Sequence, residues 1–326
     1  GSLGVASCAT ETAFKGAWGV DAQKSMHLAL SDVRPSEATP GIVKKWDATK
    51  YPATVTGAQG FGVIVNPALY TALITKEVAA GNLPSSCLTS ETVGATTDVI
   101  TAACQPTLNK ALYSSVVTGQ INTANKLLDT TGDTKKLVLA RRVASSGTQA
   151  ASNIFFAGQA GYAVKTPTVD GFAAILGAGT TGDLTVTESS ATGDVITAVS
   201  GNTTDYAMGV VSIENTYSMT KSASKLKGAL FVKLEGVSPN FNAVTGALDA
   251  KHRVGLQSGY PFVYEMVAVK PAALAGNYLD IADKIIGALT DPAQNLAGIA
   301  YIGSTDAAKN TSYTHGVSNY LPLTKN

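Results

Sequence analysis

The sequence predicts an α/β protein with largely parallel sheets, on two observations. Short apolar runs alternate with helical stretches along the 326 residues. Most of these runs are continuously hydrophobic, which is typical of strands buried on both faces of a sheet. The alternation itself argues against an all-β sandwich and against a helix bundle. The length suggests about two domains.

The predicted elements follow from these runs and from their end signals. Strands are predicted at residues 28–30, 62–65, 136–140, 206–211 and 262–269. Helices are predicted at residues 67–80, 105–118, 148–158 and 278–289, the last ended by Asp291-Pro292. Residues 159–205 are richer in Gly, Thr and Asp, so we predict loops around short elements there.

Composition argues against several function classes. Charged residues make up only 14% of the chain, and 24 Lys plus Arg against 23 Asp plus Glu give a formal net charge of +1. A nearly neutral chain is not expected to bind nucleic acid or an acidic membrane surface through net charge. No run approaches the roughly 20 apolar residues of a membrane span, and the start lacks a signal-peptide pattern. We expect no nucleic-acid partner and no membrane span.

Cysteine placement is the one sequence clue to the compartment. Cys87 and Cys104 lie in a segment rich in Thr, Ser, Gly and Pro, whereas Cys8 stands alone near the start. We predict a Cys87–Cys104 disulfide that closes a surface loop, the alternative being three unrelated buried thiols. A disulfide would imply an oxidising compartment, periplasmic or extracellular. No Cys/His spacing is typical of zinc, so neither a metal nor a cofactor is expected.

Residues 137–156 are the one segment that looks like a binding site. A buried strand leads into a pair of arginines, then a small polar turn, then an amphipathic helix. Ser145 or Ser146 is a plausible N-cap, and Gly147 lets the backbone approach a ligand closely. The first-turn N–H groups lack intrahelical partners and carry partial positive charge. An oxyanion could therefore collect these donors and the hydroxyls of Ser146 and Thr148.

The arginine pair strengthens this prediction of an anion site. Arg142 lies four residues before Ser146, close enough to offer its planar guanidinium to the same anion. The alternative is an ordinary strand–turn–helix connection whose arginines are surface groups. Arg141 has no assigned role.

A second segment places a carboxylate where a ligand would lie. The strand at residues 28–30 ends in Ser31 and Asp32, followed by Pro35. Ligands of open α/β sheets bind beyond the carboxyl ends of strands. An aspartate there can accept a hydrogen bond from a protonated oxyanion, which favours hydrogen phosphate or arsenate over sulfate. The alternative for Asp32 is a turn or cap residue.

These pieces together resemble the phosphate-binding proteins of ABC transporters, in the type II periplasmic-binding-protein superfamily. The run from Arg142 to Thr148 matches the Arg-x-x-x-Ser-Gly-Thr phosphate loop of that family. Ser31-Asp32 with Pro35 is similar to its Ser-Asp-x-Pro turn. Further similarities follow in family order, at residues 62–67, 69–74, 206–211 and 259–262.

The resemblance implies two lobes that close on an oxyanion about a hinge. Lobe one would hold residues 1–62 and 262–326, and lobe two residues 63–261. Asp32 would accept the ligand's proton, next to Ser31 in the same turn, and Arg142 would neutralise its charge. Ser146, Gly147 and Thr148 would donate hydrogen bonds. An ABC transporter permease would be the partner.

The chain departs from this family at its start. The family begins with a strand and a small-residue loop, whereas here 30 residues precede Ser31, with one strand candidate at residues 3–6. The usual first strand is expected to be missing or supplied in trans, by β-augmentation from a partner. The alternative function is therefore an extracellular structural or filament-forming protein whose partners are copies of itself.

Catalysis is not expected from this sequence. The chain contains no nucleophile elbow, HExxH helix, phosphate-binding P-loop or GxGxxG fingerprint. Ser146 would need a general base, and no histidine is placed by the sequence to serve as one. We predict that the protein is not an enzyme and has no catalytic residue.

Overall fold

The structure is a computed structural model that describes residues 27–33, 35, 47–143, 146–158, 175–249, 259–300, 313–314 and 324–325. The strand candidate at residues 3–6, together with Cys8 and Ser145, lies outside these ranges. The expectation about a missing or donated first strand therefore stays a prediction.

Strands and helices alternate along the described chain, as the sequence predicts. The strands are β1 (Ala29–Ser31), β2 (Ala53–Val65), β3 (Leu137–Arg142), β4 (Gly179–Thr181), β5 (Leu184–Ser189), β6 (Tyr206–Ser212), β7 (Leu230–Phe231), β8 (Val263–Val269), β9 (Ile299–Ala300), β10 (Tyr313–Thr314) and β11 (Thr324–Lys325). The helices are α1 (Pro67–Ala79), α2 (Cys87–Ser90), α3 (Lys110–Val117), α4 (Ala124–Leu128), α5 (Gly147–Ala157), α6 (Thr192–Ser200) and α7 (Gly276–Thr290).

One open mixed sheet contains the described strands except β10 and β11, which pair with each other. Its strand order is β1-β8-β2-β6-β3-β5-β4, with β7 and β9 also paired to β2. The predicted α/β class is confirmed. The prediction of largely parallel sheets is wrong, because only β3 pairs in parallel, with β5 and β6, while the other described pairings are antiparallel. A continuous apolar run reports burial on both faces and does not report strand direction.

The long strand β2 connects two parts of this sheet. Its residues 53–60 pair with β8, and its residues 61–65 pair with β6. The change of partner falls between Gly60 and Phe61, and every position of the strand from Thr56 onward is buried. The sequence predicts only the last four residues of this strand, because its first half, with several threonines and alanines, lacks a continuous apolar run.

Helix ends follow local hydrogen bonding. The helix predicted from residue 105 begins at Lys110 instead, because the Asn109 side chain accepts a hydrogen bond from Leu112 N at 2.8 Å and caps the helix. Residues 159–205, predicted as loops around short elements, contain β4, β5 and α6 in their described part.

Asn66 ties β2, α1 and β6 together. It is fully buried, and its side-chain oxygen accepts from Leu69 N at 3.1 Å and from Ala207 N at 3.2 Å. Its side-chain nitrogen donates to the carbonyls of Asn202 and Asp205, both at 2.8 Å. One side chain therefore caps a helix and also satisfies backbone groups around the start of β6.

An aromatic cluster fills the core beside the middle of β2. Phe155 of α5 stacks on Phe262 with ring centroids 4.4 Å apart, and Phe61 lies 5.3 Å from the same ring. Tyr260 and Tyr264, predicted to be packing residues, are only 1% and 2% exposed. These contacts pack the helix of the predicted site against the middle of β2 and against the residue that precedes β8.

The predicted disulfide is confirmed. Cys87 at the start of α2 is bonded to Cys104, with the two Cα atoms 5.4 Å apart. Both cysteines are buried in the main core, so the bond anchors the intervening exposed segment to that core. Among the residues that the structure describes, no helix is long and apolar enough to span a bilayer.

Candidate functional site

Arg142 is the last residue of β3 and its side chain is buried, with 7% exposure. One guanidinium nitrogen donates to Thr192 Oγ1 at 2.8 Å and the other to the carbonyl of Ser190 at 2.9 Å. The guanidinium is therefore held at the start of α6. Burial lowers the pKa of Arg142, while the nearby carboxylates of Asp32 and Asp194 raise it.

Arg141 has a separate structural role. Neighbouring residues of a strand point to opposite faces of the sheet. Arg141 is 6% exposed, donates to the carbonyl of Leu176, and forms an ion pair with Glu188 at 3.1 Å. The alternative that both arginines are surface groups is wrong, since Arg141 is 6% exposed and Arg142 is 7% exposed.

Ser146 is the N-cap of α5, one of the two candidates from the sequence. Its hydroxyl oxygen accepts a hydrogen bond from Gln149 N at 3.4 Å, and the residue is fully buried. The side chain of Gln149 in turn accepts from the backbone N–H of Arg142 at 3.0 Å. These two bonds fix the turn between β3 and α5, so that the first-turn N–H groups of α5 lie close to the end of β3.

Asp32 lies directly on the start of α5. Thr148 Oγ1 donates to Asp32 Oδ2 at 3.3 Å. A Cβ added at Gly147 would lie 2.9 Å from both Cβ and Oδ2 of Asp32, so only glycine allows this approach. Burial raises the pKa of Asp32, whereas hydrogen bonds from Thr148 and the charge of Arg142 lower it.

The structure thus brings four of the predicted residues to one place. The other two, Ser31 and Ser146, make hydrogen bonds within their own turns. Asp32, Gly147 and Thr148 are in direct contact, and Arg142 is close enough to interact electrostatically with Asp32. Ser31, at the end of β1, uses its hydroxyl oxygen within its own turn, accepting from Val33 N at 3.4 Å. The group combines a positively polarised helix start, a guanidinium and a carboxylate.

A second carboxylate, which the sequence analysis missed, lies near this group. Ser212 Oγ donates to Glu214 Oε1 at 2.5 Å, and Gln59 Nε2 donates to Glu214 Oε2 at 2.8 Å. Burial raises the pKa of Glu214, and repulsion from Asp32 raises it further. The available signal was the position of Glu214, three residues beyond the strand predicted at 206–211.

Metal ligands do not gather anywhere in the part of the chain that the structure describes. No group of three or more His, Cys, Asp or Glu side chains there could hold a metal ion. The donor set beside Asp32 is instead dominated by N–H and O–H groups, which suits an anion.

The solved structures that the chain resembles include phosphate-binding proteins of ABC transporters and other phosphate-binding proteins. An ABC-type phosphate transport receptor from Vibrio cholerae has 13% identity and a TM-score of 0.43, covering 87% of this chain and 78% of its own. A phosphate-binding protein from Stenotrophomonas maltophilia has 15% identity and a TM-score of 0.44, covering 82% and 70%. An ancestral soluble variant of the human phosphate-binding protein has 13% identity and a TM-score of 0.47, covering 90% and 81%.

No family model and no curated relative matches the sequence. Since the identities and TM-scores of the structural neighbours are low, we base the proposed function on the contacts within this chain.

Proposed function

We propose that the protein is an extracytoplasmic solute-binding protein for a tetrahedral oxyanion, with phosphate as the ligand. The observation that carries the proposal is the contact of Asp32 with Gly147 and Thr148 at the start of α5, together with the electrostatic attraction between Asp32 and the buried guanidinium of Arg142. A helix start with a guanidinium attracts an anion, and a carboxylate in the same place selects an anion that still carries a proton.

Each residue of the site has a distinct task in this proposal. The backbone N–H groups at Gly147 and Thr148 and the Thr148 hydroxyl donate to the oxyanion, and Asp32 accepts its P–OH hydrogen. Arg142 offsets the negative charge from its fixed position at the end of β3. Ser146, as N-cap, holds the helix start in place and can donate its own hydroxyl hydrogen.

The site lies where two lobes would meet. We propose the lobes expected from the sequence, residues 1–62 with 262–326 and residues 63–261, with β2 as one of the crossings. The change of strand partner between Gly60 and Phe61 supports a boundary close to residue 62. Because Asp32 and the start of α5 are in contact in this structure, the oxyanion would enter between them when the lobes open about this crossing, and closure would then hold it from opposite sides.

The wider proposal is transport-related binding without turnover. The Cys87–Cys104 bond supports a periplasmic or extracellular location, and an ABC transporter permease would receive the ligand. Within the described chain, His27 stacks on Tyr278 at 4.0 Å and does not contact Ser146, so Ser146 has no histidine base there. No described contact favours the alternative of a filament-forming protein.

Equilibrium dialysis with radiolabelled phosphate tests the proposal. We expect saturable uptake of one phosphate per chain, and we expect Arg142→Ala to abolish it, because the variant removes the site's guanidinium. Lys284→Ala, on the exposed helix α7, removes one positive charge elsewhere and should bind normally. Absence of uptake by the unaltered protein at about 1 mM phosphate would refute the proposed function.

A further inference from the structure

Glu214 lies just beyond the end of β6, as the proposed anion-binding turn lies just beyond the end of the neighbouring strand β3. Strands β3 and β6 are parallel neighbours, paired from Leu137 with Tyr206 to Ala140 with Gly209. The turn before α5 follows the carboxyl end of β3, and Glu214 follows the carboxyl end of β6 by two residues. Carboxyl ends of parallel strands meet at one edge of a sheet, where ligands bind.

Strand directions bring Asp32 and Glu214 toward the middle of β2 from opposite ends. β1 and β2 both pair antiparallel with β8, so β1 runs in the direction of β2 and Asp32 follows its carboxyl end. β6 runs against β2 and ends with Ser212 opposite Phe61. The two carboxylates therefore approach the point where β2 changes partners, one from each part of the sheet.

The Glu214 carboxylate is held in a defined orientation. Each of its oxygens accepts one hydrogen bond, from Ser212 Oγ and from Gln59 Nε2. Its backbone packs closely against Gly298, where an added Cβ would lie 2.6 Å from Glu214 N. Since a carboxylate has about four acceptor positions, two hydrogen bonds leave capacity for a ligand hydroxyl.

The charges around this pair are few. Asp32 is the titratable side chain that interacts electrostatically with Glu214. Asp32 in turn interacts with Arg142, and Arg142 also interacts with Asp194. With both carboxylates ionised, Asp32, Glu214 and Arg142 together carry one net negative charge. A dianion would add two more negative charges in a partly buried place, whereas a monoanion adds one and brings an additional proton.

We propose that Glu214 is a specificity-determining residue that makes the site select the doubly protonated monoanion of phosphate over the dianion. The inference rests on the proposed function. Asp32 accepts one P–OH hydrogen and Glu214 accepts, or shares, the second. Glu214 acts on the ligand's charge and proton count, whereas Arg142 and the start of α5 supply the binding donors.

Titration calorimetry of phosphate binding tests this role without any variant. Measured in buffers of different ionisation enthalpy at about pH 8, binding should take up about one proton per phosphate. The dissociation constant should rise roughly tenfold per pH unit through the alkaline range, because the monoanion becomes scarce. Binding without proton uptake and with a pH-independent affinity would overturn the inference and leave the proposed function intact.

Variants then assign the effect to this residue. Glu214→Gln should reduce both the proton uptake and the pH slope while still binding phosphate, and Glu214→Asp should retain them in part. Asp280→Asn, on the exposed face of α7, removes a carboxylate elsewhere and should behave as the unaltered protein. An unchanged slope in folded Glu214→Gln would overturn the inference, whereas no phosphate binding at any pH by the unaltered protein would refute the proposed function itself.

Discussion

Thr148 donates its hydroxyl hydrogen to the carboxylate of Asp32 at 3.3 Å, across 116 positions of sequence. This bond joins the end of β1 to the first turn of α5, the helix that follows β3. In the sheet, β8, β2 and β6 lie between β1 and β3. The contact is close enough that Gly147 must lack a side chain.

Gly147→Ala should destabilise the protein by about 1–3 kcal/mol, because its Cβ would overlap Asp32 within a packed contact. The backbone of Gly147 is not in the left-handed region, so the cost would come from this overlap alone. Gly193→Ala is the matched control: it too lies in a first helical turn, but its added Cβ meets no atom within 4 Å. Urea unfolding should show a loss for the first variant and none for the second. Equal stability of both would contradict the predicted contact.

Asp32→Asn should relax the discrimination between phosphate and sulfate. The carboxylate repels an anion that has no proton to donate, whereas the asparagine amide can donate to it. We expect phosphate binding to weaken by about tenfold or more, on the scale of one charge-assisted hydrogen bond, and sulfate binding to appear. Competition dialysis with both anions measures this ratio. Continued rejection of sulfate by the variant would show that another group sets the selectivity.

Removal of the disulfide should cost about 3 kcal/mol of unfolding free energy in the chain-entropy estimate. Cys87→Ala with Cys104→Ala removes the bond while leaving two small apolar side chains in the core. Thermal unfolding should show the same loss for the reduced unaltered protein, and reductant should have no further effect on the double variant. A double variant as stable as the oxidised protein would contradict the predicted stabilisation.

Asn66 and Asn109 allow two N-caps in one protein to be compared. Asn66 is buried and makes four side-chain hydrogen bonds, whereas Asn109 is exposed and makes one as the cap of α3. Asn109→Ala should cost about 1 kcal/mol. Asn66→Ala should cost about 2–4 kcal/mol, because it leaves buried backbone groups without partners. Similar losses in urea unfolding would show that burial adds nothing to the cap.

Local chemistry made much of the site predictable. The apolar run before Arg142, the small residues after it and the helical pattern that follows indicate a strand, a turn and a helix start, and Ser146 caps that helix as expected. The disulfide was predictable because Cys87 and Cys104 share one short polar segment. Each of these features depends on residues that are close to one another in the sequence, at most 17 positions apart for the two cysteines.

Strand direction and the second carboxylate were not predictable in this way. The run at residues 262–269 indicates a buried strand but not that β8 runs against both β1 and β2. Glu214 carries no motif, and its position near Asp32 depends on where β6 ends relative to β2.

The sequence by itself determined the α/β class, most of the buried strands, the capped start of α5 and the disulfide, since propensity, capping and burial act locally. Only the tertiary structure decided that Asp32 lies on Gly147, that Arg142 is held by α6, and that Glu214 is held by Ser212 and Gln59. The physical reason is that pairing between distant strands is set by the packing of the whole core, which no short segment encodes.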